Sequence, residues 1–269
     1  MRKLDRQLAL VTGASAGLGA EFARQLAAAG NDVALVARRI DRLDALAQDL
    51  TAQYGIEAFS IKADLARQDA HQLVADAIAD RDRSIDILVN NAGFTIPETF
   101  ERAPWQRESD MIMVLVYAVC SLTRLALPDM LAKGWGRIIN VASVAGFAPG
   151  VAGHTLYPAA KSFVIKFTQS LDCEIRPRGV YATALCPGYT RTDFAEASCM
   201  ADLHAKAPRR FADEPRDVVS AALAANAVGK VVVVTGMRNK LRRLALKILP
   251  EAISRPIINY GAAPYRRAD

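Results

Sequence analysis

Short apolar runs alternate with stretches of helical periodicity along most of the chain. Residues 8–12, 32–37 (DVALVA), 58–61, 85–90 (IDILVN), 137–142, 180–186 and 231–235 read as continuous Val/Ile/Leu/Ala-rich runs rather than clean alternations. That is the pattern of strands covered on both faces. Between them, apolar positions recur at helical spacing over 17–28, 41–54, 69–82, 109–133, 156–176 and 215–227. Gly30 stops the first of these helices, and Asp41 is the expected N-cap of the second. Strand–helix repetition predicts an α/β fold, a doubly wound parallel sheet of about seven strands with helices on both faces. No Pro/Gly/Ser-rich linker or internal repeat interrupts the 269 residues, so 1–269 is expected to form one domain.

The first strand runs directly into Thr12-Gly13-Ala14-Ser15-Ala16-Gly17-Leu18-Gly19, where the first helix opens. Glycines here let the backbone turn tightly and let a pyrophosphate approach the helix N-terminus. The spacing is G-x-x-x-G-x-G, and a glycine-rich turn alone often serves only the loop. Its place between the first strand and first helix of a doubly wound sheet is what points to a dinucleotide. At the end of the second strand, where a carboxylate would meet a ribose 2′-hydroxyl, stand Ala37, Arg38 and Arg39. A guanidinium clamps a 2′-phosphate that a carboxylate repels. NADP(H) is therefore the expected cofactor, held by Arg38 with Ser15 adding a hydroxyl. The plainer alternative is two solvated arginines on a turn.

Composition narrows the class. Hydrophobic residues make up 52% and charged residues 23%, enough for a full core and too apolar for long disorder. The net charge of +6 suits an anionic cofactor as well as a nucleic acid. No stretch interleaves dense Lys/Arg with aromatics, so no nucleic-acid partner is expected. The four cysteines form no C-x-x-C pair and there are 3 histidines, so neither a disulfide framework nor a metal site is expected. A cytoplasmic location fits. The first seven residues lack a signal-peptide core, and the longest apolar run, 111–120, is too short to span a bilayer.

Further motifs follow in order: Asp64 and Leu65 after the third strand, NNAG at 90–93, Ser143 in INVASVAG, Tyr157 and Lys161 as Y-x-x-x-K, and Pro187-Gly188 with Thr190 and Thr192. With TGASAGLG at 12–19, these resemble the short-chain dehydrogenase/reductase family over nearly the whole chain. The resemblance implies a Rossmann-like fold, a nicotinamide cofactor and interconversion of a carbonyl and an alcohol. It implies cofactor contacts from Gly13, Ser15, Gly17, Leu18, Gly19, Arg38, Asp64 (toward the adenine amino group) and Leu65. Asn90, Ala92 and Gly93 would form the cofactor floor, and Pro187, Gly188, Thr190 and Thr192 would flank the nicotinamide. Ser143, Tyr157 and Lys161 would be catalytic. Residue chemistry agrees. Tyr157 and Lys161 lie four apart on one helix face, where an ammonium lowers the pKa of a phenol that ordinarily titrates near about 10. Lys161 can also reach the ribose hydroxyls, and Ser143 can donate to an oxygen that gains negative charge.

One position departs from the family pattern. Leu115 occupies the place of an asparagine that, in the family, holds a bend in the long helix, where a main-chain carbonyl carries a water to the lysine. The carbonyl survives the change and the side-chain bond does not, so a catalytically silent cofactor-binding relative, regulatory or scaffold, is the alternative; another reaction on this fold, such as epimerisation, is a third. The family builds its substrate lid over 189–211, where Phe194, Met200, Leu203 and Phe211 join Phe94, Ile96, Phe147 and Val151 as candidate apolar pocket residues. This and the resemblance to the ketoacyl, ketosphinganine, retinol and hydroxysteroid branch imply a hydrophobic small-molecule substrate. A homo-oligomer is expected from the likeness of the two long helices to the family's dimer surface. In the C-terminal tail, 237–269, residues 239–249 form a basic amphipathic helix. Leu241, Leu244, Ala245 and Ile248 lie on one face, with Lys240, Arg243 and Lys247 opposite. That helix would cover the pocket, close the domain or touch a membrane surface.

Overall fold

A computed structural model describes residues 6–192, 194, 198 and 212–262, with only the backbone of 261–262. Seven parallel strands, β1 (Leu8–Thr12), β2 (Asp32–Ala37), β3 (Ala58–Lys62), β4 (Ile87–Asn90), β5 (Gly136–Val141), β6 (Val180–Cys186) and β7 (Val232–Val234), form one sheet in the order β3-β2-β1-β4-β5-β6-β7. Helices α1 (Gly17–Ala28), α2 (Ile40–Tyr54) and α7 (Pro215–Ala227) pack on one face. The other face carries α3 (Ala70–Ala79), α5 (Ala118–Lys133) and α6 (Leu156–Ile175), with α4 (Trp105–Ile112) beside α6. Two further helices, α8 (Met237–Ile248) and α9 (Glu251–Ala262), follow β7.

The strands lack polar alternation because both their faces are covered. In β1, Ala9 and Val11 pack with Phe22 and Leu26 of α1, while Leu8 and Leu10 pack with residues such as Val74 of α3 and Leu122 of α5. Phe22, Leu10, Leu35, Leu88 and Leu122 are fully buried, and each such side chain contributes about 1.5–3 kcal/mol. The strand order reverses between β1 and its neighbour β4, which opens a crevice at the carboxyl ends of these strands.

Boundaries differ from the sequence pattern where a turn or a proline decides them. The N-cap of α2 is Arg39, because β2 ends only two residues earlier; Asp41 lies in the first turn, where its charge faces the positive end of the helix. Helix α3 stops at Ala79, and Asp82 takes a left-handed φ of 53° in the turn that follows. The helix expected from 109 opens at Trp105 behind Pro104. It runs to Lys133 through a π-helical turn at Met113–Tyr117. By length and composition alone, Trp105–Lys133 is apolar enough to cross a membrane. In this fold Val114, Ala118, Leu122, Ala126 and Met130 lay it against the sheet.

Candidate active site

A cleft of about 520 Å³ opens along the carboxyl ends of the strands. Gly13, Ser15, Gly17, Leu18, Arg38, Arg39, Asp64 and Leu65 line one end, and Ala92, Gly93, Ser143, Tyr157, Lys161, Pro187, Gly188, Thr190 and Thr192 line the rest. At the glycine end the backbone makes the wall. Gly13 and Gly17 adopt φ of +66° and +55°. A Cβ on Gly13 would meet the Cα of Ala92 at 2.9 Å, and one on Gly17 the Cβ of Thr192 at 2.9 Å. Gly19 does not line the cleft. A Cβ there would strike the carbonyl of Gly13, so this glycine lets α1 press onto the turn. Helix α1 has no side-chain N-cap and no acidic residue in its first turn, so its leading N–H groups face the cleft without a competing anion.

These features fit a dinucleotide phosphate, and the second-strand arginines fit one more. The Ser15 hydroxyl accepts from Arg39, at 2.9 Å from Nη2 and 3.2 Å from Nε. Sequence reasoning assigned this clamp to Arg38; the structure also brings Arg39 to the cleft and pairs it with Ser15. Arg39 is the N-cap of α2, and the bare Arg-Arg pair does not reveal which of the two meets Ser15. Asp64 folds into a turn of its own, its Oδ1 accepting from the Ala66 N–H at 3.1 Å.

The NNAG floor divides its labour. Thr12 Oγ1 accepts from the N–H groups of Asn91 (2.9 Å) and Ala92 (3.0 Å) and donates to the Val89 carbonyl (3.2 Å), joining β1 to β4. The side chain of Asn90 turns away from the cleft into the core, because strand alternation puts it on the face covered by α5 and α6. Its amide donates to Thr123 Oγ1 (3.2 Å) and Asn140 Oδ1 (2.9 Å), and Asn140 donates to Thr168 Oγ1 of α6 (2.9 Å). This buried chain fixes α6 against β4 and β5. Asn140 and Thr168 are positioning residues that sequence reasoning missed; a polar residue inside an apolar strand run was their signal.

Helix α6 presents Tyr157 and Lys161 one turn apart to the cleft. Ser143 caps the short 3₁₀ turn Val144–Phe147, its Oγ accepting from the Ala145 N–H at 3.1 Å, and it lines the cleft with Tyr157. Lys161 donates to the Val141 carbonyl at 2.7 Å, with its Nζ 5.7 Å from the Tyr157 ring centroid. The lysine does not depress the phenol here. Burial pushes Tyr157 up to about 12, against a smaller opposing effect of the nearby Ser143 hydroxyl. Burial also brings the Lys161 ammonium down to about 8. The phenol is thus held protonated, as a proton donor must be.

Leu115 lies inside the π-helical turn, 1% exposed, packed with Ile96, Ala103, Met111 and Ala160 and, more loosely, with Tyr157. A Cβ on Gly93 would lie 2.8 Å from Leu115 Cδ2 and 3.7 Å from Lys161 Nζ, so the leucine and the ammonium share one corner of the site. Phe94 and Phe194 line the cleft, and the Phe194 ring lies 6.0 Å from that of Tyr157. Ile96 is buried instead in the Leu115 cluster, and Phe147 lies under Arg243. Met200, Leu203 and Phe211 fall outside the described residues.

Residues 7–201 match the short chain dehydrogenase family. The chain is 34% identical over 191 residues to the 3-oxoacyl-[acyl-carrier-protein] reductase FabG of Aquifex aeolicus (strain VF5), covering 71% of this chain and 77% of that protein. It is 36% identical over 195 residues to a very-long-chain 3-oxoacyl-CoA reductase of Anas platyrhynchos, covering 71% of this chain and 62% of that protein, less than two thirds of its length. A short-chain dehydrogenase from Sphingobium yanoikuyae, solved in complex with NADPH, superposes with a TM-score of 0.81 at 31% identity, over 98% of this chain and 97% of that one. Family match, sheet order and the Ser143–Tyr157–Lys161 cleft agree: the chain belongs to the short-chain dehydrogenase/reductase family, oxidoreductases that work on keto and hydroxy groups with a nicotinamide dinucleotide.

Proposed function

We propose that this protein is an NADP(H)-dependent oxidoreductase that interconverts an apolar ketone and its secondary alcohol, with Tyr157 as the general acid and base. The observation that carries the reading is that Tyr157, Ser143 and Lys161 line one cleft, between a glycine-and-arginine cradle and the rings of Phe94 and Phe194. The cradle would hold the dinucleotide, and Arg38, Arg39 and Ser15 would hold its 2′-phosphate. NADPH, when bound, supplies a hydride to the carbonyl carbon. Ser143 donates a hydrogen bond to the carbonyl oxygen as charge develops there. Tyr157 gives that oxygen its proton, and the phenolate left behind regains one from solvent. Lys161 would hold the ribose hydroxyls of the dinucleotide beside Tyr157. Residues 189–211, after Pro187-Gly188, would close over the substrate.

The reading is tested by following NADPH absorbance with a series of methyl ketones of increasing chain length. Each methylene buried in the cleft contributes about 0.8 kcal/mol, so kcat/KM should rise about fourfold per carbon until the pocket is full. A flat or falling series overturns the apolar assignment. No turnover with any ketone or alcohol favours the silent relative, for which Leu115 beside Lys161 is the supporting observation.

A further inference from the structure

Helix α8 is amphipathic, and its orientation is the reverse of a helix that closes a core. Its polar side chains hold it to the body. Asn239 donates to the Thr235 carbonyl at 2.9 Å and to Asp213 Oδ2 at 3.3 Å, and the Arg243 guanidinium sits 4.7 Å over the Phe147 ring. Its apolar stripe points outward: Met237 is 69% exposed, Leu241 59%, Leu244 54% and Ile248 71%. These positions recur at helical spacing on one face. Helix α9 repeats the arrangement. Ser254 and Ile258 are buried, Asn259 bonds the Gly150 carbonyl and the Ala152 N–H, and Ile253, Ile257 and Tyr260 are exposed. Scattered exposed apolar residues are ordinary, whereas an exposed apolar stripe on each of two consecutive helices is a candidate interaction surface.

Charge identifies the occupant. Residues 237–269 hold 8 of the 34 Lys/Arg and 2 of the 28 Asp/Glu, a net +6, while the first 236 residues hold 26 of each and are neutral. The whole net charge of the chain therefore sits in this segment. Arg238, Lys240, Arg242 and Lys247 are exposed on α8 beside the stripe. A second copy would set one +6 segment against another. An anionic lipid surface complements both properties, with acyl chains for the stripe and phosphates for the cations. We infer that α8 and α9 dock this protein on anionic membranes, next to the active-site loop that carries Phe147. The inference goes beyond the ketone reading, and each can fail without the other.

Vesicle flotation of the full chain with NADPH tests it, using phosphatidylcholine vesicles and vesicles that also contain phosphatidylglycerol. Wild type should float with the anionic mixture and little with phosphatidylcholine alone. Leu244→Glu/Ile248→Glu and Lys240→Glu/Arg242→Glu should each lower anionic flotation by at least about tenfold, with Tm and NADPH affinity by fluorescence titration unchanged as the check on folding. Absence of flotation with the anionic vesicles overturns the proposal, as does equal flotation of wild type and both variants. If the Glu variants instead turn a dimer into a monomer by light scattering and flotation is unaffected, the face belongs to a second copy and the proposal is wrong.

Discussion

At the β1–α1 end of the cleft the walls are backbone, made by left-handed glycines, a helix N-terminus and a carbonyl that forbids a Cβ on Gly19. At the α6 end they are side chains: Ser143, Tyr157, Lys161, Phe94 and Phe194. Backbone walls present the same N–H groups whatever neighbours do, so this end suits the invariant phosphates of a dinucleotide. Side-chain walls are open to retuning, and this chain has retuned one corner by setting Leu115 beside Lys161. The difference teaches where to look for what is particular to this protein: on the proposed reading, cofactor binding would follow from the fold, and rate and substrate from a few side chains at the other end.

Two substitutions separate the ends. Tyr157→Phe removes the phenolic proton and leaves the cradle intact. Ketone reduction should fall about a thousandfold or more, with NADPH affinity by fluorescence titration nearly unchanged. Residual rates within tenfold of wild type would remove Tyr157 from the acid's role. The reverse pattern belongs to the arginines. Arg38→Ala and Arg39→Ala should each weaken the preference for NADPH over NADH, the charge-assisted contact contributing about 1.5–3 kcal/mol or ten- to a hundredfold, with kcat at saturating cofactor little affected. Because Arg39 is bonded to Ser15, its variant should also make Ser15→Ala nearly silent in a double-mutant cycle. Equal use of both cofactors by wild type would break the assignment of this end to a 2′-phosphate.

Legibility in the sequence follows the same division. The seven strands and their parallel pairing were readable because buried strands write themselves as unbroken apolar runs. The glycine turn was visible from its place between the first strand and first helix, whereas Ser143, Tyr157 and Lys161 were named from the family resemblance, and the structure brings them to one cleft. Long-range contacts were not. Asn90 and Asn91 are identical letters, and only the pleat sends the first to Asn140 and leaves the second at Thr12. The choice between Arg38 and Arg39 depends on how α2 begins. The direction of the α8 stripe was hidden for a similar reason: amphipathicity gives two faces, and which one meets the body depended on Phe147 and Asp213.

The smallest expected change in rate, and the sharpest test of the retuned corner, is Leu115→Asn. The π-helical turn at Met113–Tyr117 is present with a leucine inside it, so the bend does not depend on an amide side chain. The wild-type enzyme should therefore turn over, and the variant's kcat should stay within about threefold of it. The leucine would help to keep that corner dry. Burial lowers the Lys161 ammonium to about 8, so this group is charged below that pH and loses its proton as pH rises through it. In wild type, kcat/KM for NADPH should hold steady below about pH 8 and fall above it, since that ratio reports the free enzyme's groups. An amide at 115 would solvate the ammonium and move the falling limb upward by about one pH unit. The apolar cluster of Ile96, Met111 and Ala160 would lose a buried leucine, costing about 2–4 kcal/mol, read as a lower Tm of a protein that still folds. A limb that stays in place while Tm drops would show that Leu115 acts on packing alone. A wild type inactive with every ketone, revived by Leu115→Asn, would show that the bend needs its amide after all, and that this chain keeps the cofactor end of the cleft while its reaction end has fallen silent.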